Sequence, residues 1–173
     1  MTDRLLLVGM MAVGKTTVGK RCAERLKWPL LDSDAQLFAD TGRNAQEIFD
    51  DDGDHALRAL ESRVLVDAIA HPVPVVIAVA GGVVLSDENR ELLVRSGVVV
   101  WLRASIATMS DRVTRGGVRP RLGEDPSQSI RDLYETRRPL YAAVAEFVID
   151  VDELTPDEVV ARIFAETGLG AGQ

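Results

Sequence analysis

Apolar residues fall along this chain in short runs separated by amphipathic stretches. Leu5-Leu6-Leu7-Val8 is a continuous apolar run that predicts a buried strand, and Thr17 to Leu26 carries the spacing of a helix. Trp28-Pro29-Leu30-Leu31 predicts a second short strand ending at Asp32-Ser33-Asp34, and Val75 to Val79 a third ending at Ala80-Gly81-Gly82. Ser86-Asp87-Glu88 offers a helix cap and an acidic first turn, leading through Leu92-Leu93-Val94 to Gly97 as a stop before the strand Val98 to Leu102. Phe147-Val148-Ile149 predicts a last strand. Thr155-Pro156-Asp157-Glu158 then opens a final helix with a capping threonine, proline at the first helical position and glutamate three residues after the cap. This alternation predicts an α/β fold, a mostly parallel sheet with helices on both faces. Ligands of such sheets bind beyond the carboxyl ends of the strands, a rim that Gly14, Asp32 and Gly81 would share.

Two segments interrupt the alternation. Asp40 to Ala70 holds two helical patterns with no strand between them, the second with Ala56, Leu57, Leu60, Val64, Leu65 and Ile69 on one apolar face. An insertion over about 33–70 would wall a second pocket. Thr114 to Ser127 holds glycines, prolines and arginines with almost no apolar periodicity, which predicts a mobile lid rather than a packed element. The small, polar tail from Gly168 to Gln173 is expected to fray.

The phosphate chemistry sits at the first strand-to-helix junction. Gly9-Met10-Met11-Ala12-Val13-Gly14-Lys15-Thr16 places two glycines, a lysine and a hydroxyl at the spacing of a phosphate-binding loop. The glycines let backbone N–H groups turn toward an anion, and the helix that follows adds the positive end of its dipole. Ala12, Val13, Gly14, Lys15, Thr16 and Thr17 form the candidate nucleotide-binding run, with capping or packing as the alternative for Thr17. Lys15 would reach the β- and γ-phosphates, and the Thr16 hydroxyl would be one ligand of a magnesium ion bridging them.

Phosphoryl transfer from ATP to an alcohol also needs a group that orients the hydroxyl and positive charge over the moving phosphoryl. Asp32 and Asp34 share a face if the strand continues through them and diverge if a turn intervenes; a helix cap is the bland alternative. In the functional reading Asp32 supports magnesium and Asp34 binds the acceptor hydroxyl and orients or deprotonates it. Arg58, Arg119, Arg137 and Arg138 are the arginines expected to turn inward, two of them to hold a substrate carboxylate bidentately and one from the lid to neutralise charge. Asp50-Asp51-Asp52 and Asp54 read as solvated loop residues. His55, His71, Trp28 and Trp101 receive no chemistry.

Composition narrows the partners. At 173 residues the chain suits one domain, 1–173, and its formal charge of -7 argues against a nucleic-acid or membrane-surface role. Cys22 is the sole cysteine, expected to be a buried core thiol. The first apolar run is too short to span a bilayer and the start lacks the regions of a secretory signal, so a cytoplasmic location and a monomer are expected.

With these residues in view, the chain resembles the shikimate kinases from about Leu5 to about Phe164. The match runs through the phosphate loop, Asp32-Ser33-Asp34, Thr41-Gly42-Arg43 with Ile48-Phe49, Gly53 to Arg58, Gly81-Gly82, Val99 to Leu102, Arg119-Pro120, and Arg137 with Pro139-Leu140-Tyr141. The resemblance implies a three-layer P-loop kinase fold that phosphorylates the 3-hydroxyl of shikimate with ATP and Mg2+. By it, Asp34, Arg58, Gly81, Gly82 and Arg137 would contact shikimate, with the arginines on its carboxylate. Lys15 and Arg119 would contact the phosphates, Thr16 and Asp32 would organise magnesium, and Arg112 would flank the adenine; Lys15, Asp34 and Arg119 form the catalytic set. Three positions depart from the pattern. Ala80 replaces the first of three glycines, Leu57 stands where phenylalanine often precedes the substrate arginine, and Arg121 interrupts the usual Arg-Pro-Leu-Leu. A methyl in a packed pocket shifts discrimination by roughly 1–3 kcal/mol, so a kinase for another hydroxylated acid is an alternative, as is a nucleotide-dependent binding module.

Overall fold

In the computed structural model, which describes residues 3–116 and 125–170, the Leu5–Val8 run lies at the centre of a five-stranded parallel sheet. The strands are β1 (Arg4–Val8), β2 (Leu30–Asp32), β3 (Val75–Ala78), β4 (Val98–Arg103) and β5 (Phe147–Asp150), in the order β2-β3-β1-β4-β5. The register pairs Leu6 with Ile77 on one side and with Val99 on the other. Every residue of β3 and all of β1 after Arg4 is buried, as expected of strands covered on both faces.

The helices are α1 (Lys15–Leu26), α2 (Ser33–Thr41), α3 (Ala45–Ala70), α4 (Asp87–Ser96), α5 (Ile106–Gly116), α6 (Pro126–Val144) and α7 (Pro156–Thr167). Parallel crossovers are right-handed, and the chain moves from β1 to β2 in the opposite sense to its later steps. That reversal sends α1 to one face and α3, α4 and α6 to the other. Accordingly α1 packs with α7, while α4 and α6 pack together. It also opens the crevice beyond β1 and β3 where a ligand binds in such sheets.

A large core of Leu, Val and Ile fills the sheet faces, with Cys22 and Trp101 inside it. Burial pushes the Cys22 thiol up to about 12, so it stays protonated and inert. The 33–70 insertion has a small core of its own: Leu37, Ile48, Leu57 and Val64. Its helix α3 is two helical runs joined at Gly53, whose φ of 87° belongs to the left-handed region. The two helical patterns of Asp40 to Ala70 are therefore present, preceded by α2, which opens directly from Asp32.

The lid expectation needs correction at its ends. Thr114–Gly116 form the last turn of α5, and Pro126–Ser127 the first turn of α6. Asp125 accepts a bond from the Gln128 N–H and Pro126 follows at the first helical position, a start signal that glycine and arginine content masked. Residues 117–124, including Arg119 and Arg121, lie outside the described residues, as do 171–173 of the tail. Among the described residues no helix is long and apolar enough to cross a membrane.

Candidate active site

The phosphate loop leaves β1 through Gly9, whose φ is 142°; a Cβ there would stand 2.5 Å from the Leu102 carbonyl oxygen, so only glycine fits. Ala12 also takes the left-handed region, with φ 60°. Helix α1 has Gly14 as N-cap and no side chain bonded to its first N–H groups. The other α-helices are capped by Asp32, Asn44, Ser86, Ser105, Asp125 and Thr155. The donors of α1 are thus left open toward an incoming anion, backed by the helix dipole. Lys15 folds over the loop, its Nζ donating to the carbonyls of Gly9 at 2.9 Å and Met10 at 2.8 Å. Burial lowers its pKa, and Asp34 and Asp32 act in the opposite direction. Arg112 reaches back from α5 to donate to the Ala12 carbonyl at 3.1 Å. Thr17 is exposed and lines a shallow depression with Arg21, Arg25 and Asp157 on the α1–α7 side.

The alternatives for Asp32 turn out to coexist. One carboxylate oxygen caps α2, accepting from the N–H groups of Asp34 and Ala35 at 3.0 and 3.1 Å. The other accepts from the Thr16 hydroxyl at 2.5 Å. This hard-oxygen pair suits magnesium, which binds through one or two protein oxygens and completes its shell with phosphate and water. Among the described residues no group of three or more His, Cys, Asp or Glu gathers to hold an ion by itself. Asp34 sits in the first turn of α2, its side chain open to the crevice. Protein closes round it on the other sides, and that desolvation raises its pKa above the ordinary 3.8, with Lys15 opposing and Asp32 adding to the rise.

On the facing wall, two arginines flank the Gly81-Gly82 turn after β3. Arg58 donates from Nη1 to Glu61 at 2.5 Å and from Nη2 to Asp54 at 2.9 Å, while its Nε is buried without a hydrogen-bond partner. A Cβ on Gly82 would fall 1.7 Å from Arg58 Nη1, so the glycine is what lets the guanidinium lie on the backbone. Arg137, from α6, is buried at 5% exposure, and its Nη1 would stand 3.6 Å from a Cβ on Gly81. Arg138, its neighbour, is exposed, so the inward turn expected of it does not occur: adjacent residues on a helix face different ways. The charges acting on Lys15 come from Asp34, Asp32, Arg137 and Glu61, which places both walls around one crevice.

Two residues outside the sequence-based set belong to this wall. Glu61 is buried at 6% exposure and holds Arg58; its signal was the three-residue spacing on one helix face. Asn89, buried on α4, donates to the Val83 carbonyl at 3.1 Å and to Ser62 Oγ at 2.8 Å, bracing the turn after Gly82. It sits only three residues beyond the α4 cap, and no local pattern marks it.

The family model for shikimate kinase matches residues 11–167. This chain belongs to the shikimate kinase family. It is a small-molecule kinase, a transferase, as its relatives are. The shikimate kinase of Symbiobacterium thermophilum is 43% identical over 162 residues, covering 92% of this chain and 92% of that protein. The shikimate kinase of Ruegeria pomeroyi is 38% identical over 162 residues, covering 93% and 83%. Among solved structures, shikimate kinase from Acinetobacter baumannii in complex with shikimate is 33% identical, with a TM-score of 0.91 over 98% of this chain and 95% of that one. A gluconokinase from Sinorhizobium meliloti, 20% identical with a TM-score of 0.65, shares the fold alone. Two of the departures from the family pattern are taken up by packing: Ala80 lies in the main core at 4% exposure, and Leu57 in the small core at 0%. Arg121 lies outside the described residues.

Proposed function

We propose that this kinase moves the γ-phosphoryl group of ATP to the 3-hydroxyl of shikimate, giving shikimate 3-phosphate and ADP. The observation that carries the reading is one crevice with an open helix N-terminus on one side and two inward arginines with a carboxylate on the other. The α1 donors and Lys15 would hold the phosphates once the Lys15 ammonium leaves the Gly9 and Met10 carbonyls. Arg58 and Arg137 would bind the substrate carboxylate beside Gly81 and Gly82, each guanidinium able to give two parallel N–H donors. Asp34 would accept the proton as the substrate oxygen bonds to phosphorus and the bond to the bridging oxygen of ADP breaks. Thr16 and Asp32 would hold Mg2+, which when bound offsets the charge of the β- and γ-phosphates. Arg112, already over the loop, would stand beside the base, and Arg119 would add charge over the moving phosphoryl. The chain would act in the cytoplasm as a monomer built on one domain.

ADP release with shikimate, quinate and gluconate tests this. Stimulation by shikimate, lost in Asp34→Asn, is expected. ATP binding without shikimate-dependent turnover would leave the nucleotide site standing and remove shikimate as the substrate. The alternative readings, another hydroxylated acid or a binding module, have no observation that favours them.

A further inference from the structure

We infer that Tyr141 is a positioning residue for the acceptor, a buried hydroxyl that ties the Gly81 backbone to the Arg137 guanidinium. The inference rests on the reading that these two groups hold shikimate. Tyr141 lies one helical turn beyond Arg137 on α6 and is fully buried at 0% exposure. Its ring stacks on Trp101 with centroids 5.7 Å apart, within the main core. That hydroxyl donates to the Gly81 carbonyl at 2.7 Å.

A phenol has one proton. With it committed to Gly81, the oxygen can only accept from any other neighbour, and the Arg137 guanidinium shares the space over Gly81 with it. A Cβ on Gly81 would meet both, the hydroxyl at 3.4 Å and Arg137 Nη1 at 3.6 Å, so hydroxyl and guanidinium stand over the same glycine. Burial pushes the Tyr141 hydroxyl up to about 12, so the donor proton stays in place across the working pH range. The Gly81 bond therefore runs from Tyr141, and a bond between Tyr141 and Arg137 would have to be donated by Arg137. An N–H of Arg137 given to that oxygen would hold the guanidinium plane with its remaining donors disposed for a carboxylate. Removing the hydroxyl takes away the donor to the Gly81 carbonyl and leaves the guanidinium free to turn, although the ring and its stack survive.

Tyr141→Phe tests this on the full chain, with the wild type assayed first for shikimate-dependent ADP release. The KM for shikimate is expected to rise about tenfold, with kcat and the KM for ATP changed by less than about threefold. In an Arg137→Lys background the same substitution should cost little, because the partner it positions is gone. Trp101→Phe, which loses the large stacking ring and keeps the hydroxyl, should lower the melting temperature and leave the shikimate KM near wild type. An unchanged shikimate KM in Tyr141→Phe would overturn the inference. So would equal rises for both substrates, full additivity with Arg137→Lys, or the same shikimate effect in Trp101→Phe. Should Tyr141→Phe not fold, 15N NMR of the Arg137 guanidinium in the wild type decides: slow rotation without shikimate is expected, and rotation as fast as that of an exposed arginine would overturn the inference. A wild type inactive on shikimate would instead overturn the proposed function, and this inference with it.

Discussion

Asp34 pays in stability for its position in the crevice. Its carboxyl is held above the ordinary 3.8 by desolvation, more than the charge of Lys15 pulls it down. Between the unfolded pKa and the raised folded one, the native state binds more protons than the unfolded chain, so stability falls as pH rises through that window. Asp34→Asn should therefore leave the enzyme at least as stable at neutral pH while lowering turnover by about 10²–10⁴-fold, as urea unfolding and ADP release would show. The same shift predicts an acid limb of kcat/KM for shikimate whose midpoint lies above 3.8. The ionised carboxylate is the active form, so activity is gained as pH rises through it. Gly82→Ala gives a second expectation. Its methyl would meet Arg58 Nη1 at 1.7 Å and Glu61 at 2.5 Å, so the guanidinium must move; the KM for shikimate should rise well before the KM for ATP does. Residues such as Gly9, Lys15 and Thr16 could be read from the sequence because their geometry is local to one loop. Asn89 and Tyr141 could not, because each acts across a contact between distant segments; the spacing of Glu61 to Arg58 is local, but its burial is set by the fold.

Among the elements, the strands and helices α1, α3, α4 and α7 were legible and helices α2, α5 and α6 were not. The short apolar runs became β1, β3 and β4, and Thr155 forms the capping box its sequence signals, its side chain accepting from the Glu158 N–H and Glu158 reaching back. Thr155→Ala should cost about 1 kcal/mol in chemical denaturation and leave kinetics unchanged. Helices α5 and α6 lacked such clear signals. Ile106, Met109 and Val113 give α5 an apolar stripe only two turns long, and α6 carries Pro139 inside it. Pro139 cannot donate to the helix ladder, which weakens any local prediction of a continuous helix. Asp32 joins the two kinds of evidence, since it is both the cap of α2 and the partner of Thr16. Asp32→Ala should lose about 1 kcal/mol of stability and raise the magnesium concentration needed for half-maximal rate, whereas a cap alone would affect only the first.

At the scale of the whole molecule, the reversal of crossover direction opens the crevice, and the insertion with its own small core supplies one wall of it. Shikimate at 100 times its dissociation constant should add about 2.7 kcal/mol to folding stability, a rise of roughly 5–10 °C in melting temperature for a chain of this size. Gluconate, an open chain where shikimate is a ring, should give a smaller rise. The most direct test of the central claim is the structure of the product itself. Phosphorus and proton NMR of a reaction containing the purified chain, ATP, magnesium and shikimate should show one new phosphate ester coupled to the proton on carbon 3. A phosphate on another carbon, or ADP formed with no ester at all, would contradict the account of how Asp34, Arg58 and Arg137 present the substrate.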